Sequence, residues 1–376
     1  MKKISIIGAG IGGLTTAIAL NQKGFEVEIF ESAAEFKKAG SGINLATNAM
    51  QVYKRLGIYN EIIKNSNVTN SMNVRTKNLK FLTSINLKPF EKEFEVKTVA
   101  IHRATLHNIL VQNLGNTKIY LNKKIKSLKQ SSGKVDLFFE DGTTHTAEIL
   151  IGSDGIHSAV RKSIFSNTKL RDAKQICWRG ISNAKINEKH KGELNELWSK
   201  GKRFGFVHIS KNQIYWFALI NKNNFISENI NLQELFSDYH PTVKTIIDET
   251  PKEQILCNEI WDLKPIDKWY HKNICLLGDS AHATTPNMGQ GAVQAIESAL
   301  ALSICIKDES SIEKAFNKYQ KIRKEKANYV TETSWKIGKI AQLENIIMIA
   351  LRNFMMKILP TKITENQNRK LYKLNF

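Results

Sequence analysis

The chain has 376 residues, of which 42% are hydrophobic and 24% charged. That is more chain than one core usually holds, so we expect two lobes, and the composition excludes wholesale disorder. The net charge of +20 attracts anions, but the lysines are scattered and no nucleic-acid motif is present, so we expect no nucleic-acid partner. The four cysteines form no CxxC pair, which predicts neither a disulfide framework nor a metal site and favours a cytoplasmic location.

The chain opens with a strand, a helix and a second strand. Residues 3–7 (KISII) predict a buried parallel strand, residues 11–23 a helix, and residues 26–30 (EVEIF) the next strand. This order is typical of the first unit of a parallel α/β sheet.

A glycine-rich turn joins the first strand to the helix. Its glycines are Gly8, Gly10, Gly12 and Gly13, and Glu31 ends the second strand. Gly8 permits the tight turn, Gly10 lets a pyrophosphate approach the backbone, and Gly13 allows close packing of helix and strand. Glu31 can accept hydrogen bonds from an adenosine ribose, so the unit predicts dinucleotide binding. By itself it does not distinguish NAD from FAD.

Further strands follow at distant places in the chain. Residues 148–152 and 273–278 are apolar and predict more strands of the same sheet. Alternating stretches at 135–140, 204–209 and 213–220 predict antiparallel strands. Residues 176–220 are expected to form a mostly β second lobe. From residue 310 onward the pattern is helical.

A second glycine-containing motif begins at Asp279, directly after an apolar strand. Ligands of open α/β sheets bind at the carboxyl ends of strands, where a carboxylate can hold a sugar or ribityl hydroxyl. The next helix starts around Gly289, Gly291 and Ala292. The free amides at its N-terminus can stabilise negative charge, such as that at N1 and the C2 carbonyl of a reduced flavin.

The three motifs together resemble the single-component (class A) FAD-dependent monooxygenases. This is the family of p-hydroxybenzoate and salicylate hydroxylases, near urate hydroxylase and zeaxanthin epoxidase. The motifs are GAGIGG with Glu31, the run 152–161 (GSDGIHSAVR) and the run 278–291 (GDSAHATTPNMGQG), and the match covers roughly residues 1–330. Only one GxGxxG is present, so no second nucleotide domain for a pyridine-nucleotide reductase is visible.

The resemblance implies further site residues. It places Asp154 at both FAD and NAD(P)H, Arg161 at NAD(P)H, and Arg103 at the phosphate–ribityl part of FAD. It places Gly42, in the loop with Gly40 and Asn48, near the isoalloxazine ring. The main chain of Ile125 is matched to the adenine side.

The resemblance also implies the fold and the reaction. The fold class is α/β, with a Rossmann-type three-layer FAD-binding domain, a mostly antiparallel β substrate lobe and a C-terminal helical segment. The expected FAD-binding domain is discontinuous (1–70, 98–170 and 266–330), the substrate domain comprises 71–97 and 171–265, and the helical segment is 331–376. NADH or NADPH reduces FAD, and a flavin C4a-hydroperoxide then hydroxylates or epoxidises a small organic, aromatic substrate with O₂.

Three residues are candidates for the reaction itself. Pro286 begins the segment expected beside the reactive edge of the flavin. Arg203 and Tyr215 are spaced as in flavin hydroxylases of small polar rings, where Arg203 could hold an anionic substrate and Tyr215 could bond a ring hydroxyl. In the alternative interpretation Tyr215 packs in a sheet and Arg203 is a surface cation.

Residues 341–359 predict a strongly apolar helix, and basic residues follow it. One interpretation is a packed helix that closes the core. The other is an interfacial helix that gives peripheral membrane contact and goes with a lipophilic substrate.

Two other functions fit the same cofactor. One is an FAD-dependent reductase or dehydrogenase of the geranylgeranyl-reductase type, and the other is a non-catalytic flavoprotein. The motif after Asp279 favours the monooxygenase, while NADH or NADPH, the substrate and the oligomeric state stay open.

Overall fold

The strands of the chain pair into four sheets, and helices cover one side of the central sheet. The computed structural model describes residues 3–36, 41–131, 133–225, 230–358 and 360–376. The strands are β1 (Lys3–Ile7), β2 (Glu26–Phe30), β3 (Gly42–Leu45), β4 (Asn67–Val68), β5 (Ser71–Thr76), β6 (Phe81–Asn86), β7 (Val99–His102), β8 (Lys118–Tyr120), β9 (Ile125–Ser131), β10 (Lys134–Phe139), β11 (Thr144–Ala147), β12 (Ile149–Gly152), β13 (Leu170–Ser182), β14 (Glu193–Trp198), β15 (Lys202–His208), β16 (Ile214–Asn221), β17 (Leu256–Leu263), β18 (Tyr270–His271) and β19 (Ile274–Leu276). The α-helices are α1 (Ile11–Gln22), α2 (Thr47–Arg55), α3 (Tyr59–Lys64), α4 (Lys88–Phe94), α5 (Arg103–Gln112), α6 (Ala159–Ile164), α7 (Leu232–Leu235), α8 (Pro241–Asp248), α9 (Asp279–His282), α10 (Gly291–Asp308), α11 (Ile312–Ala341), α12 (Ile346–Ile358) and α13 (Thr361–Tyr372).

The central sheet has six strands in the order β18-β19-β12-β1-β2-β8. All its pairings are parallel except that of β18 with β19. Ile6 and Ile7 of β1 point to opposite faces and are both buried, as expected for a strand covered on both faces. Helices α1 and α10 pack together on one side, and the small antiparallel sheet β11-β10-β9 contacts the other. The predicted three-layer FAD-binding fold is confirmed.

The second large sheet has seven strands in the order β17-β13-β16-β15-β14-β5-β6. Every pairing is antiparallel except that of β14 with β5, so the predicted antiparallel lobe is confirmed. One face carries Phe204 and Trp216, whose stacked rings form a core with residues of α7 and α8. The opposite face of the same strands carries Arg203 and Tyr215.

The predicted first strands, residues 3–7 and 26–30, coincide with β1 and β2. The predicted helix 11–23 is α1, which ends one residue earlier, and the following Gly24 has a φ of +85°. The division of the chain into the three predicted domains stays a prediction.

The C-terminal helices differ sharply in burial. Helix α11 packs on α10 and buries Phe316 and Tyr319, so it helps to close the core. Helix α12 exposes its apolar side chains, so the interpretation that it packs to close the core is wrong. Among the described helices, none combines the length and the apolar character needed to cross a bilayer.

Candidate active site

The turn between β1 and α1 is built so that main-chain atoms crowd together. Gly8 has a φ of +100°, and a Cβ there would lie 2.5 Å from the carbonyl oxygen of Ser153. A Cβ on Gly13 would collide with the carbonyl oxygen of Gly8. A Cβ on Gly10 would meet nothing within 4 Å, so open space lies beside this residue. The backbone therefore faces that space without side chains in between.

Helix α1 begins at this turn, and no side chain of a described residue caps it. Gly12 lies in its first turn and approaches Leu277 and Ala295 closely, which draws α1 onto α10. The uncapped N-terminal amides carry partial positive charge that suits a phosphate.

The carboxylate of Glu31 is held beside the same turn. Its Oε2 accepts the main-chain N–H of Ala9 at 2.7 Å, and its Oε1 accepts that of Ala33 at 2.9 Å. Oε1 also accepts from Ser32 Oγ at 3.0 Å, while Oε2 keeps a second lone pair with which it can accept a further hydrogen bond. The N–H of Lys123 bonds the carbonyl oxygen of Glu31 at 2.7 Å, which brings Ile125, at the start of β9, to this end of the site.

Asp154 follows β12 and lies against Gly8. Its oxygens accept from Ser158 Oγ at 2.6 Å and from the N–H of Val160 at 3.1 Å. Burial raises the pKa of Asp154, and these hydrogen bonds act in the opposite direction. The carboxylate thus fixes the start of α6 while remaining partly accessible.

Arg161 is buried and its donors are used within the protein. Its guanidinium bonds the carbonyl oxygen of Ser280 at 3.0 Å and that of Ile156 at 2.5 Å, so it joins the middle motif to the Asp279 motif. Only 1% of the residue is exposed. A contact with NAD(P)H stays a prediction, and it would require Arg161 to leave these carbonyls.

Asp279 and Arg103 are close enough for the charge of each to act on the other. Both side chains are accessible, while the atoms packed around them raise the pKa of Asp279 and lower that of Arg103. Each charge favours the ionised form of the other. Arg179 and Tyr215 also act on Arg103, so Arg103 lies near the antiparallel sheet that carries these two residues.

Helix α10 points its N-terminus at the same region. Pro286 to Met288 form a 3₁₀ turn, Gly289 has a φ of +62°, and Gly291 and Ala292 form the first turn of the helix. No side chain of a described residue caps α10, so its amides are free for a ligand. This is the second uncapped helix N-terminus in the site.

The segment around Asn48 is brought against the start of α10. Asn48 Nδ2 bonds Gln290 Oε1 at 3.2 Å and Glu297 Oε1 at 2.9 Å. Glu297 is fully buried and pairs with Arg323 and Lys326. Gly40 of the predicted loop lies outside the described residues.

The antiparallel sheet closes the site opposite these helices. A Cβ on Gly42 would lie 2.5 Å from Cβ and Cγ of Tyr215, so the start of β3 and β16 are in close contact. Burial raises the pKa of the Tyr215 phenol well above its usual value. The phenol is therefore neutral and can donate a hydrogen bond.

Arg203 lies on the same face and is 1% exposed, so the alternative of a surface cation is wrong. Its Nη1 bonds Glu196 Oε1 at 3.0 Å, and its Nη2 bonds Asn287 Oδ1 at 2.7 Å. The 3₁₀ turn beginning at Pro286 is thereby tied to the sheet. The buried Nε of Arg203 has no partner among the described residues.

Sequence reasoning missed Glu196 and Asn287. The signal for Glu196 was available, because the turn at Gly201 predicts a hairpin that pairs β14 with β15 and puts Glu196 on the face of Arg203. Asn287 lies within a recognised motif, but its distance of 84 residues from Arg203 hides the contact.

The arrangement fits FAD. It offers two uncapped helix N-termini, open space beside Gly10, and the opposed charges of Asp279 and Arg103, which can take hydroxyl and phosphate groups.

Comparisons with known proteins agree. The FAD-binding domain family matches residues 1–334. The aurachin C monooxygenase/isomerase of Stigmatella aurantiaca is 30% identical over 98% of this chain and 97% of its own. The 2-heptyl-3-hydroxy-4(1H)-quinolone synthase of Pseudomonas aeruginosa is 26% identical over 98% of this chain and 97% of its own. HpxO of Klebsiella pneumoniae, solved with FAD and uric acid, superposes with a TM-score of 0.90 at 23% identity, covering 99% of this chain and 96% of that one.

The chain belongs to this FAD-binding family, and within it to the FAD-dependent monooxygenases. FAD is its cofactor, with NAD(P)H as the usual co-substrate of such enzymes. The alternative of a reductase is not favoured.

Proposed function

We propose that this monooxygenase hydroxylates the ring of a neutral N-heteroaromatic compound of the 4-quinolone type that carries an apolar chain. The relatives matched over 98% of this chain are named for aurachin C and for a quinolone with a heptyl group. Relatives named for 6-hydroxynicotinate and urate match 88% and 85% of it. The first two relatives therefore match nearly the whole chain in sequence.

The observation that carries the proposal is the ion pair between Arg203 and Glu196. A cation that binds an anionic substrate needs donors that no carboxylate of the protein already occupies. Here the charge of Arg203 is compensated by Glu196, and its remaining bonds run to amide oxygens of Asn287 and Gln175. Arg203 is therefore not free to hold an anionic substrate, which favours a neutral one.

The cofactor assignments follow the geometry. Gly8, Gly10, Gly12, Gly13 and Glu31 would hold the pyrophosphate and adenosine ribose, with Ile125 at the adenine. Asp154, Asp279 and Arg103 would bind the middle of FAD. Gly42, Gly289, Gly291 and Ala292 would surround the ring system. Bound FAD supplies the oxygen activation that no side chain in the site can supply.

The side chains around the ring have simpler tasks. Tyr215 would donate a hydrogen bond to the carbonyl or hydroxyl of the substrate ring and so orient it. Pro286 and its turn would form the wall on the cofactor side, held in place by Asn287 and Arg203. Together with Phe217 on the sheet they would exclude water from the reacting carbon.

The domain division and the cellular location complete the proposal. Residues 71–97 and 171–265 would form the substrate domain, and the other segments named above the FAD-binding domain and helical tail. Cys177, Cys275 and Cys305 are buried thiols, which suits the reducing cytoplasm.

A substrate panel tests the proposal. FAD-loaded protein is mixed with NADH or NADPH and with 2-heptyl-4(1H)-quinolone, 6-hydroxynicotinate or urate, and NAD(P)H oxidation is followed with product mass. We expect the quinolone alone to stimulate NAD(P)H oxidation, and its product to contain one ¹⁸O atom when the reaction is run under ¹⁸O₂. Stimulation by urate or 6-hydroxynicotinate instead would contradict a neutral ring site. Turnover unchanged without oxygen would select a reductase.

A further inference from the structure

Helix α12 has the reverse of the usual amphipathic pattern. Its face toward the protein includes Arg352 and Asn353, and Arg352 is only 6% exposed. Its outward face is apolar, and Ile347 and Phe354 are 78% and 61% exposed. The other exposed apolar side chains of this helix are Ile346, Met348, Leu351, Met355 and Ile358. Contiguous apolar exposure of this kind marks an interaction surface.

Arg352 holds the helix in this orientation. Its Nη1 donates to the carbonyl oxygens of Ile340 and Ala341, each at 3.2 Å, which satisfies the C-terminal end of α11. The guanidinium also lies 5.1 Å from the centre of the Trp198 ring. The outward apolar face is therefore imposed by specific contacts on the inward face.

The surroundings of the helix are basic. Residues 334–376 contain eight lysines and arginines and two glutamates. Lys357 lies on α12 itself, Lys339 near its start and Lys362 just beyond its end, and all three are exposed. Glu344 is engaged by the amides of Asn221 and Asn224. This combination of an apolar face with flanking cations complements an anionic lipid surface.

We propose that α12 docks on an anionic phospholipid membrane, lying parallel to the surface with Ile347, Leu351 and Phe354 among the acyl chains. The helix has 13 residues, which suits the interface. An interfacial helix needs no spanning length, since it buries one face only.

Docking there would bring the substrate site close to the lipids. In the last turns of α11, a Cβ on Gly338 would lie 2.5 Å from Nδ2 of Asn287, and the carbonyl oxygen of Gly338 accepts from Gln175. The same helix end is bonded to Arg352 of α12. If the substrate carries an apolar chain, which rests on the proposed function, it could enter from the membrane.

Vesicle cosedimentation tests the docking without any substrate. FAD-loaded full-length protein is mixed with phosphatidylcholine vesicles with and without phosphatidylglycerol. We expect binding to the anionic vesicles, weak binding to the neutral ones, and release by added salt. Absence of vesicle binding would contradict the docking but not the proposed hydroxylation. Absence of quinolone hydroxylation would likewise not contradict the docking.

The variant series uses Phe354→Gln against Phe138→Gln, because Phe138 is an exposed phenylalanine on β10 far from α12 in the sequence. We expect Phe354→Gln to lower vesicle binding by about tenfold and the triple variant with Ile347→Gln and Leu351→Gln to abolish it. Phe138→Gln should bind as the unaltered protein does. Circular dichroism and the visible spectrum of bound FAD verify folding.

Two outcomes would overturn the proposal. One is vesicle binding by the triple variant equal to that of the unaltered protein, or no binding by either. The other is a dimer in sedimentation velocity that the triple variant converts to monomer without any vesicle binding, because α12 would then contact a second copy of the chain.

Discussion

The two large sheets contribute different kinds of atoms to the site. At the carboxyl ends of the parallel strands, the site consists mainly of main-chain atoms: the glycine turn after β1 and the uncapped starts of α1 and α10. On the antiparallel sheet it consists of side chains held by other side chains, such as Arg203 by Glu196 and Asn287. The first part should therefore be sensitive to any added Cβ, and the second to loss of a partner.

The largest expected effect is that of Gly13→Ala. The new Cβ would collide with the carbonyl oxygen of Gly8 and lie 2.7 Å from Ser153 Oγ, so the turn and α1 must separate. We expect a loss of more than about 4 kcal/mol in the free energy of unfolding and no FAD-loaded protein. Denaturant unfolding of the apoprotein measures this.

Gly10→Ala is the matched control for that variant. Its Cβ enters open space, and the extended backbone of Gly10 suits alanine, so the apoprotein should unfold within about 0.5 kcal/mol of the unaltered protein. FAD affinity should nevertheless fall by at least about tenfold, because the methyl group takes the space proposed for the pyrophosphate. Unchanged FAD affinity would contradict that placement.

The same contrast explains what the sequence could predict. Glycine spacing, apolar strands and Glu31 are local signals, so the bounds of β1 and β2 were predictable. The partners of Arg203 come from β14 and from the turn before α10, and no local pattern reports such a contact. The exposure of the apolar face of α12 could not be predicted either, because composition does not show that the face with Arg352 packs against the protein.

The next effect concerns the buried ion pair of the antiparallel sheet. Glu196→Leu leaves the charge of Arg203 buried without compensation, and we expect a loss of about 3 kcal/mol in unfolding free energy. The double variant with Arg203→Met should recover most of this, since no buried charge remains. A double-mutant cycle by urea unfolding measures the coupling, and additive losses would argue against the pair.

A smaller effect is expected for Arg352→Met. The variant removes two hydrogen bonds to the end of α11 and the contact with Trp198, so α12 should loosen at a cost of about 2 kcal/mol. Hydrogen exchange should show faster exchange of amides in α12, while those of α1 stay protected. Lys357→Met, an exposed position on the same helix, is the control and should change neither.

The smallest effect is that of Asp279→Asn on the apoprotein, and its sign depends on pH. Burial raises the pKa of Asp279 in the folded state above its ordinary value of 3.8, although Arg103 opposes the shift. The folded state thus binds the proton more tightly than the unfolded one, so stability falls as the pH rises from 3.8 through the folded pKa, and the full cost of the carboxylate is present above that pKa. Asparagine has no such cost, so the variant should be slightly more stable at neutral pH, with the difference vanishing below pH 3.8. Thermal melts across pH measure this. FAD titration at neutral pH should show weaker binding by the variant, because a carboxylate that destabilises the apoprotein is retained for its ligand.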